Sequence, residues 1–318
     1  MMEKSKKGFL GISAKSKPIL EKRDLSLCLL ALLVFGCLLV PFGRSAWGGD
    51  LEEILKSGKL RHLGIPYANF ITAEKTGLDV ELMKEFASKL GVKYEYVEST
   101  WKNIVADLIG KVVRPEGEKL MVAGEHPIQG DVIATGFTVL PWRTKVVNFS
   151  EMTFPTGVWL VTRGDSPLQP VVPTGDSSRD IQSVKDKLSN VSVLVLQDSC
   201  LDPALYGLEK TEAVLKYFPT GQNLDDMIPA VMAKMADATL MDVPVILTAL
   251  QRWPGEIKVI GPVSRTQEMA CAFPETSPHL LSAFNDFLRQ CKKDGTYRRL
   301  VAKYYPSVFV FYPEFLKP

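Results

Sequence analysis

The sequence predicts an α/β protein of two lobes, and three observations carry that reading. Apolar residues fall into strand-like and helix-spaced runs in the order strand, helix, strand, helix through residues 60–135, which implies a parallel sheet covered by helices. The same rhythm returns over residues 191–260, beyond a loop rich in Pro, Ser and Gly at Ser166–Ser178. The length, 318 residues with 46% hydrophobic and 23% charged side chains, allows two lobes or one large domain and excludes a single small module.

Taken in order, Asp50–Ser57 reads as a short amphipathic helix ending at Gly58, and Leu60–Ile65 as a strand. Leu78, Val80, Leu82, Met83, Phe86, Ala87 and Leu90 recur at helical spacing, and Gly91 supplies the stop, so Leu78–Leu90 is a helix. Val92–Val97 alternates as a strand, Trp101–Ile109 is a second helix, and Asp131–Thr135 is a short buried strand. In the second half, Val191–Leu196, Ala238–Met241 and Ile257–Ile260 are strands, and Leu224–Ala233 and Val243–Leu250 are helices. Leu280–Cys291 and Tyr297–Tyr304 close the chain as helices.

The net charge of +2 is unevenly spread, because residues 1–48 carry +5 and the remainder −3. A mildly acidic body offers no basic face for a nucleic acid, and that class is excluded. Leu25–Phe42 is an apolar run of 18 residues behind Lys22 and Arg23, the pattern of an export signal. Ala46-Trp47-Gly48 fits a cleavage site, which makes 1–48 a signal peptide and places the body in the periplasm. Two alternatives are a lipoprotein box at Val34-Phe35-Gly36-Cys37, against which bulky Phe35 argues, and an uncleaved anchor, since such a run can just span a bilayer.

Cys28 and Cys37 belong to the signal, leaving Cys200, Cys271 and Cys291 in an oxidising compartment. One disulfide and one free thiol is the simplest arithmetic, and Cys271 with Cys291 is the expected pair. No zinc spacing occurs and His62, His126 and His279 are isolated, so neither metal nor cofactor is expected. No Ser/His/Asp or Cys/His arrangement and no phosphate loop stands out, and the chain is read as a non-enzyme.

Several fragments in order resemble the extracellular solute-binding proteins of family 3, the amino-acid-binding proteins of ABC transporters. They are Gly58-Lys59-Leu60-Arg61 with Tyr67-Ala68-Asn69-Phe70; Gly77 to Leu82; Trp101; and Asp131 to Thr138. Then follow Pro141-Trp142-Arg143, Val147-Asn148-Phe149-Ser150, Ala236-Asp237-Ala238 with Asp242, and Asp294-Gly295-Thr296-Tyr297 with Lys303-Tyr304. The resemblance implies a type II periplasmic-binding-protein clamshell with hinge crossings near Phe154–Gly157 and Ser264–Met269. One lobe is expected to hold residues 49–156 and 268–318, and the other 157–267.

The resemblance also implies a ligand site. Arg143 stands at the family's carboxylate clamp, where a guanidinium can grip two oxygens at once. Thr138 resembles the hydroxyl and backbone donor and Gly136 the carbonyl that takes a ligand proton, although a strand-end turn serves equally for Gly136. Asp242 matches the ammonium-binding carboxylate, and it also suits an N-cap for the helix from Val243. Tyr67 and Trp101 match rings around the ligand side chain, with core aromatics as the alternative. Ser199 matches a hydroxyl at a helix start in the second lobe.

Four departures accompany the likeness. The acid often found ahead of Tyr67 is missing, Leu140 replaces a hydroxyl, and Asp198 brings a carboxylate close to the expected ligand carboxylate. An insertion of roughly 18 residues, Val112–Gln129, exceeds the usual two-to-six-residue connection and reads as a lid, a docking surface or a plain surface hairpin. The expected function is capture of an amino acid or similar small polar solute by a monomer that presents it to an ABC permease in the inner membrane. The alternatives are an accessory protein of an exported redox enzyme and, behind it, a small periplasmic lyase.

Overall fold

The computed structural model describes residues 49–116, 119–197, 199–219 and 224–316. The expected signal peptide and Asp198 lie outside them. Among the described residues no helix is long and apolar enough to cross a membrane.

Helix α1 (Leu51–Ser57) begins at Asp50, whose Oδ1 accepts from Leu51 N at 2.8 Å, and ends at Gly58. Strand β1 (Lys59–Gly64) is followed by α2 (Leu78–Leu90), which buries Leu78, Val80, Leu82, Met83, Phe86 and Ala87. Each of the larger of these side chains contributes roughly 1.5–3 kcal/mol on leaving water. Strand β2 (Lys93–Glu98) pairs parallel to β1, and α3 (Ile104–Ile109) is shorter than expected because residues 101–103 form a turn before it.

The insertion is an antiparallel hairpin, β3 (Lys111–Glu116) with β4 (Lys119–Glu125). Its base is tied down by His126 N donating to Gly110 O at 2.9 Å and by His126 Nε2 lying 2.6 Å from Asp107 Oδ1. After it come β5 (Val132–Ile133), β6 (Val147–Phe149), β7 (Phe154–Thr156) and β8 (Val158–Arg163). Helix α4 (Ser177–Lys185) follows, capped by Asp176, then β9 (Ser192–Val195) and β10 (Val214–Tyr217).

The next elements are α5 (Met227–Met232), β11 (Ala238–Asp242), α6 (Val243–Arg252), β12 (Ile257–Pro262), β13 (Gln267–Met269) and β14 (Ala272–Pro274). Helices α7 (Pro278–Lys293), α8 (Thr296–Tyr304) and α9 (Val308–Phe311) complete the described chain.

Two five-stranded sheets result, in the orders β2-β1-β5-β14-β6 and β10-β9-β11-β8-β12. Between them β7 pairs antiparallel with β13, so the two chain crossings form one ladder. The fold is the two-lobed α/β clamshell, but its sheets are mixed and not purely parallel as expected. Strand β14 runs antiparallel to β5 and β6, and β8 runs antiparallel to β11 and β12. Each of these two strands follows a crossing, so the chain enters its sheet from the hinge side, against the direction of the βαβ strands.

The expected disulfide is absent: Cys200, Cys271 and Cys291 are all free and buried. The two thiols sit in different surroundings. Cys271 N donates to Ser150 Oγ at 3.0 Å and its thiol feels the field of Asp79, whereas Cys291, on α7, lies near Asp294, Glu85 and Lys89.

Candidate functional site

Tyr67 comes from the loop after β1 and Asp242 from the end of β11, so both stand beyond the carboxyl ends of parallel strands. Open α/β sheets place their ligands there. The Tyr67 hydroxyl donates to Asp242 Oδ2 at 2.6 Å, which brings the two sheets' loops into direct contact. Tyr67 is itself fixed, because its backbone N–H donates to Ile71 O at 2.9 Å and its ring meets Trp101 edge-on at 5.5 Å. Asp242 is the N-cap residue of α6 by backbone geometry, yet its side chain makes no capping bond and is turned into the site.

Arg143 opens a short 3-10 turn, Arg143–Lys145, between β5 and β6. The turn folds the side chain back over the Phe137 ring, with the guanidinium carbon 3.9 Å from the ring centre, and Nη1 donates to Thr138 O at 2.8 Å. Thr138 is held in turn by a bridge to Met269, so the second crossing positions the arginine's acceptor. Arg143 is 4% exposed, and its Nε has no hydrogen-bond partner. Among the described residues no carboxylate lies within ion-pair distance of it. Burial pulls its pKa down to about 10, against the fields of Cys200, Asp242 and Tyr206, and the group stays charged at neutral pH.

Cys200 completes the cluster. Its Sγ donates to Asp242 Oδ2 at 3.0 Å, its carbonyl accepts the Tyr206 hydroxyl, and Gln267 Nε2 lies 3.5 Å from that hydroxyl. Burial raises the Cys200 pKa well above its usual value, so it is a neutral thiol. The Asp242 carboxyl is likewise pushed up by burial, opposed by Tyr67, Cys200 and Arg143, and its Oδ1 is buried without a partner. A surface groove of about 350 Å³ runs past Tyr206 and Gln267 toward Lys185 and Arg265 without reaching Arg143 or Asp242.

The structure thus gathers Tyr67, Trp101, Thr138, Arg143 and Asp242 around one site. Gly136 lies beside it with φ 57°, its N–H donating to Asp79 Oδ2 at 2.6 Å. A Cβ there would stand 2.4 Å from Phe70 Cδ2, so only glycine fits. Ser199 does not stand at a helix start as expected. The helical turn begins later, at Pro203 behind the cap Asp202, because a loop intervenes after β9. The Ser199 hydroxyl serves that loop, donating to Leu196 O at 2.8 Å and accepting from Leu201 N at 2.9 Å.

Sequence reasoning missed Cys200, Tyr206 and Gln267. The signal for Cys200 is its place next to Ser199; the cysteine arithmetic leaves it as the free thiol and gives it no part in the site. Tyr206 and Gln267 carried no local motif.

Mixed sheets, a paired double crossing and a buried cation at the junction define a two-lobed binding protein. Residues 126–307, more than half of the chain, match the bacterial extracellular solute-binding proteins, family 3, and the chain belongs to that family. It is 22% identical over 273 residues to a probable amino-acid ABC transporter-binding protein of Haemophilus influenzae, covering 84% of this chain and 92% of that one. It is 26% identical over 266 residues to a membrane-bound lytic murein transglycosylase F of Desulfosudis oleivorans, covering 82% of this chain and 52% of the relative. The chain therefore spans about half the length of that relative.

Among solved structures, a variant of ArgBP from T. maritima matches with TM-score 0.63 and 24% identity over 80% of this chain and 99% of its own, a likeness of fold. The ancestral amino acid-binding protein AncCDT-1, a precursor of cyclohexadienyl dehydratase, matches with TM-score 0.61 and 26% identity over 80% and 98%.

Proposed function

We propose that the protein captures a small carboxylate-bearing solute of the amino-acid type between its lobes and presents it to an ABC permease in the membrane. The observation that carries this reading is Arg143. A guanidinium that is 4% exposed, with an Nε that has no hydrogen-bond partner and no carboxylate within ion-pair distance among the described residues, is a buried cation without a direct ion pair. Leaving such a charge unpaired costs several kcal/mol, and a ligand carboxylate relieves it with charge-assisted hydrogen bonds.

Closure is a hinge motion about the β7–β13 ladder, with one lobe made of residues 49–156 and 268–318 and the other of 157–267. Tyr67, Trp101, Thr138 and Gly136 supply the first lobe's wall, and Asp242 with Cys200 the second's. The protein works by binding, as a monomer in the periplasm after loss of residues 1–48, and carries out no covalent step. A thermal-shift screen of the purified protein against amino acids, amines and small carboxylates tests the reading. A ligand present at a hundred times its Kd stabilises by about 2.7 kcal/mol, a clear rise in Tm. A screen in which amines alone raise Tm contradicts it.

A further inference from the structure

The loop after β1 is a rigid prong. Tyr67 N donates to Ile71 O at 2.9 Å, Phe70 N to Tyr67 O at 3.2 Å, and Asn69 N to the Tyr305 hydroxyl at 2.9 Å. Asn69 Nδ2 also donates to Tyr304 O at 2.9 Å, which ties the loop to the end of α8. One backbone donor of the prong leaves this framework: Ala68 N–H reaches Asp225 Oδ2 at 3.2 Å, across 157 residues of sequence. Ala68 holds φ 45°, a left-handed conformation that costs energy for a residue with a Cβ, and the bond to Asp225 offsets that cost.

Asp225 stands in the 3-10 turn ahead of α5, and α5 packs on β8 and β11 of the second sheet. The preceding residue of the prong makes the same reach. The Tyr67 hydroxyl donates to Asp242 Oδ2 at 2.6 Å, at the end of β11. Cys200 Sγ shares that oxygen at 3.0 Å, and it and the charge of Arg143 favour the ionised carboxylate, so the Tyr67 bond is charge-assisted. Two consecutive residues on the first sheet's side thus clasp two carboxylates on the second's, and every group in these bonds belongs to the protein.

We propose that the prong is a latch: Tyr67 and Ala68 hold the two sides shut through Asp242 and Asp225, with no solute needed to bridge them. A solute then enters only from the open fraction, and its apparent affinity is reduced by that fraction. This gating goes beyond the solute-binding reading and rests on it; the latch itself does not.

The test needs no ligand. The purified protein is stripped of bound solute by unfolding in guanidinium and refolding, then measured by small-angle scattering and by hydrogen exchange of the Ala68 amide. The native protein is compact and the amide is protected. Losing a hydrogen bond to a charged group shifts the shut-to-open ratio by roughly tenfold or more, so Tyr67→Phe and Asp225→Ala each speed that exchange by about the same factor. The double variant has the larger radius of gyration while keeping a cooperative melt. Asp225→Asn, whose amide oxygen still accepts from Ala68 N–H, stays shut. A native protein as expanded as the double variant, with a freely exchanging Ala68 amide, overturns the latch, and so does a double variant as compact and as protected as the native protein. Either result leaves the solute-binding reading standing.

Discussion

Tyr67 donates its phenolic hydrogen to Asp242 Oδ2 at 2.6 Å, across 175 residues of sequence, and so joins the loop after β1 to the start of α6. The bond is buried, and Cys200 shares its acceptor. Side chains of the protein itself thus meet where the two lobes come together, and the cation next to them, Arg143, has no carboxylate within ion-pair distance among the described residues.

Gly136 carries the turn that delivers Thr138 to this junction. Its φ of 57° is left-handed, and an added Cβ would press on the Phe70 ring at 2.4 Å. Gly136→Ala combines backbone strain with overpacking and lowers stability by about 2–4 kcal/mol. Urea unfolding measures it as a lower midpoint at unchanged slope; an unchanged midpoint contradicts the described turn.

Asp79 anchors the same turn, and burial raises its pKa to about 7, opposed by the bond from Gly136 N–H. The unfolded chain titrates near the ordinary 3.8, so the folded form keeps the proton between about 3.8 and about 7. The stabilisation this gives is fully present below the lower value and is lost as pH rises through the upper one. Asp242 and Asp225 are raised too and act with the same sign, so the test is a difference. The stability of the native protein minus that of Asp79→Asn falls as pH rises from 4 to 7. A difference that is flat or rising over that range contradicts the assignment.

The three cysteines beyond residue 48 are buried thiols. Thiol titration of the protein lacking residues 1–48, without reductant, gives three equivalents after denaturation and far fewer before it. One equivalent after denaturation identifies a disulfide and contradicts this structure.

Much of this arrangement was legible in residues read as patterns. Helix α2 matches its expected bounds because seven apolar residues keep helical spacing and Gly91 ends them with φ 70°. Strand β8 was not foreseen, since Val158–Arg163 is nearly all buried and so lacks the alternation that marks a half-exposed strand. Helix α4 escaped because it buries only Asp180 and Val184 in an otherwise polar run. In the site, Arg143 and Asp242 were marked by their place in ordered fragments. The partners of Asp242 depend on how two distant loops meet, which no local pattern encodes.

The central claim is that Arg143 is a ligand clamp and not a structural cation. The most direct measurement is a paired titration and melt of the native protein and Arg143→Met with the best carboxylate from the thermal-shift screen. Loss of the clamp costs on the order of 2–5 kcal/mol of binding, or roughly 30-fold to several thousandfold in affinity. The unliganded Tm stays level or rises, because the substitution removes a buried charge that makes no ion pair among the described residues. Affinity retained within a few-fold, together with a fall in the unliganded Tm, would show that Arg143 serves the fold and would contradict the claim.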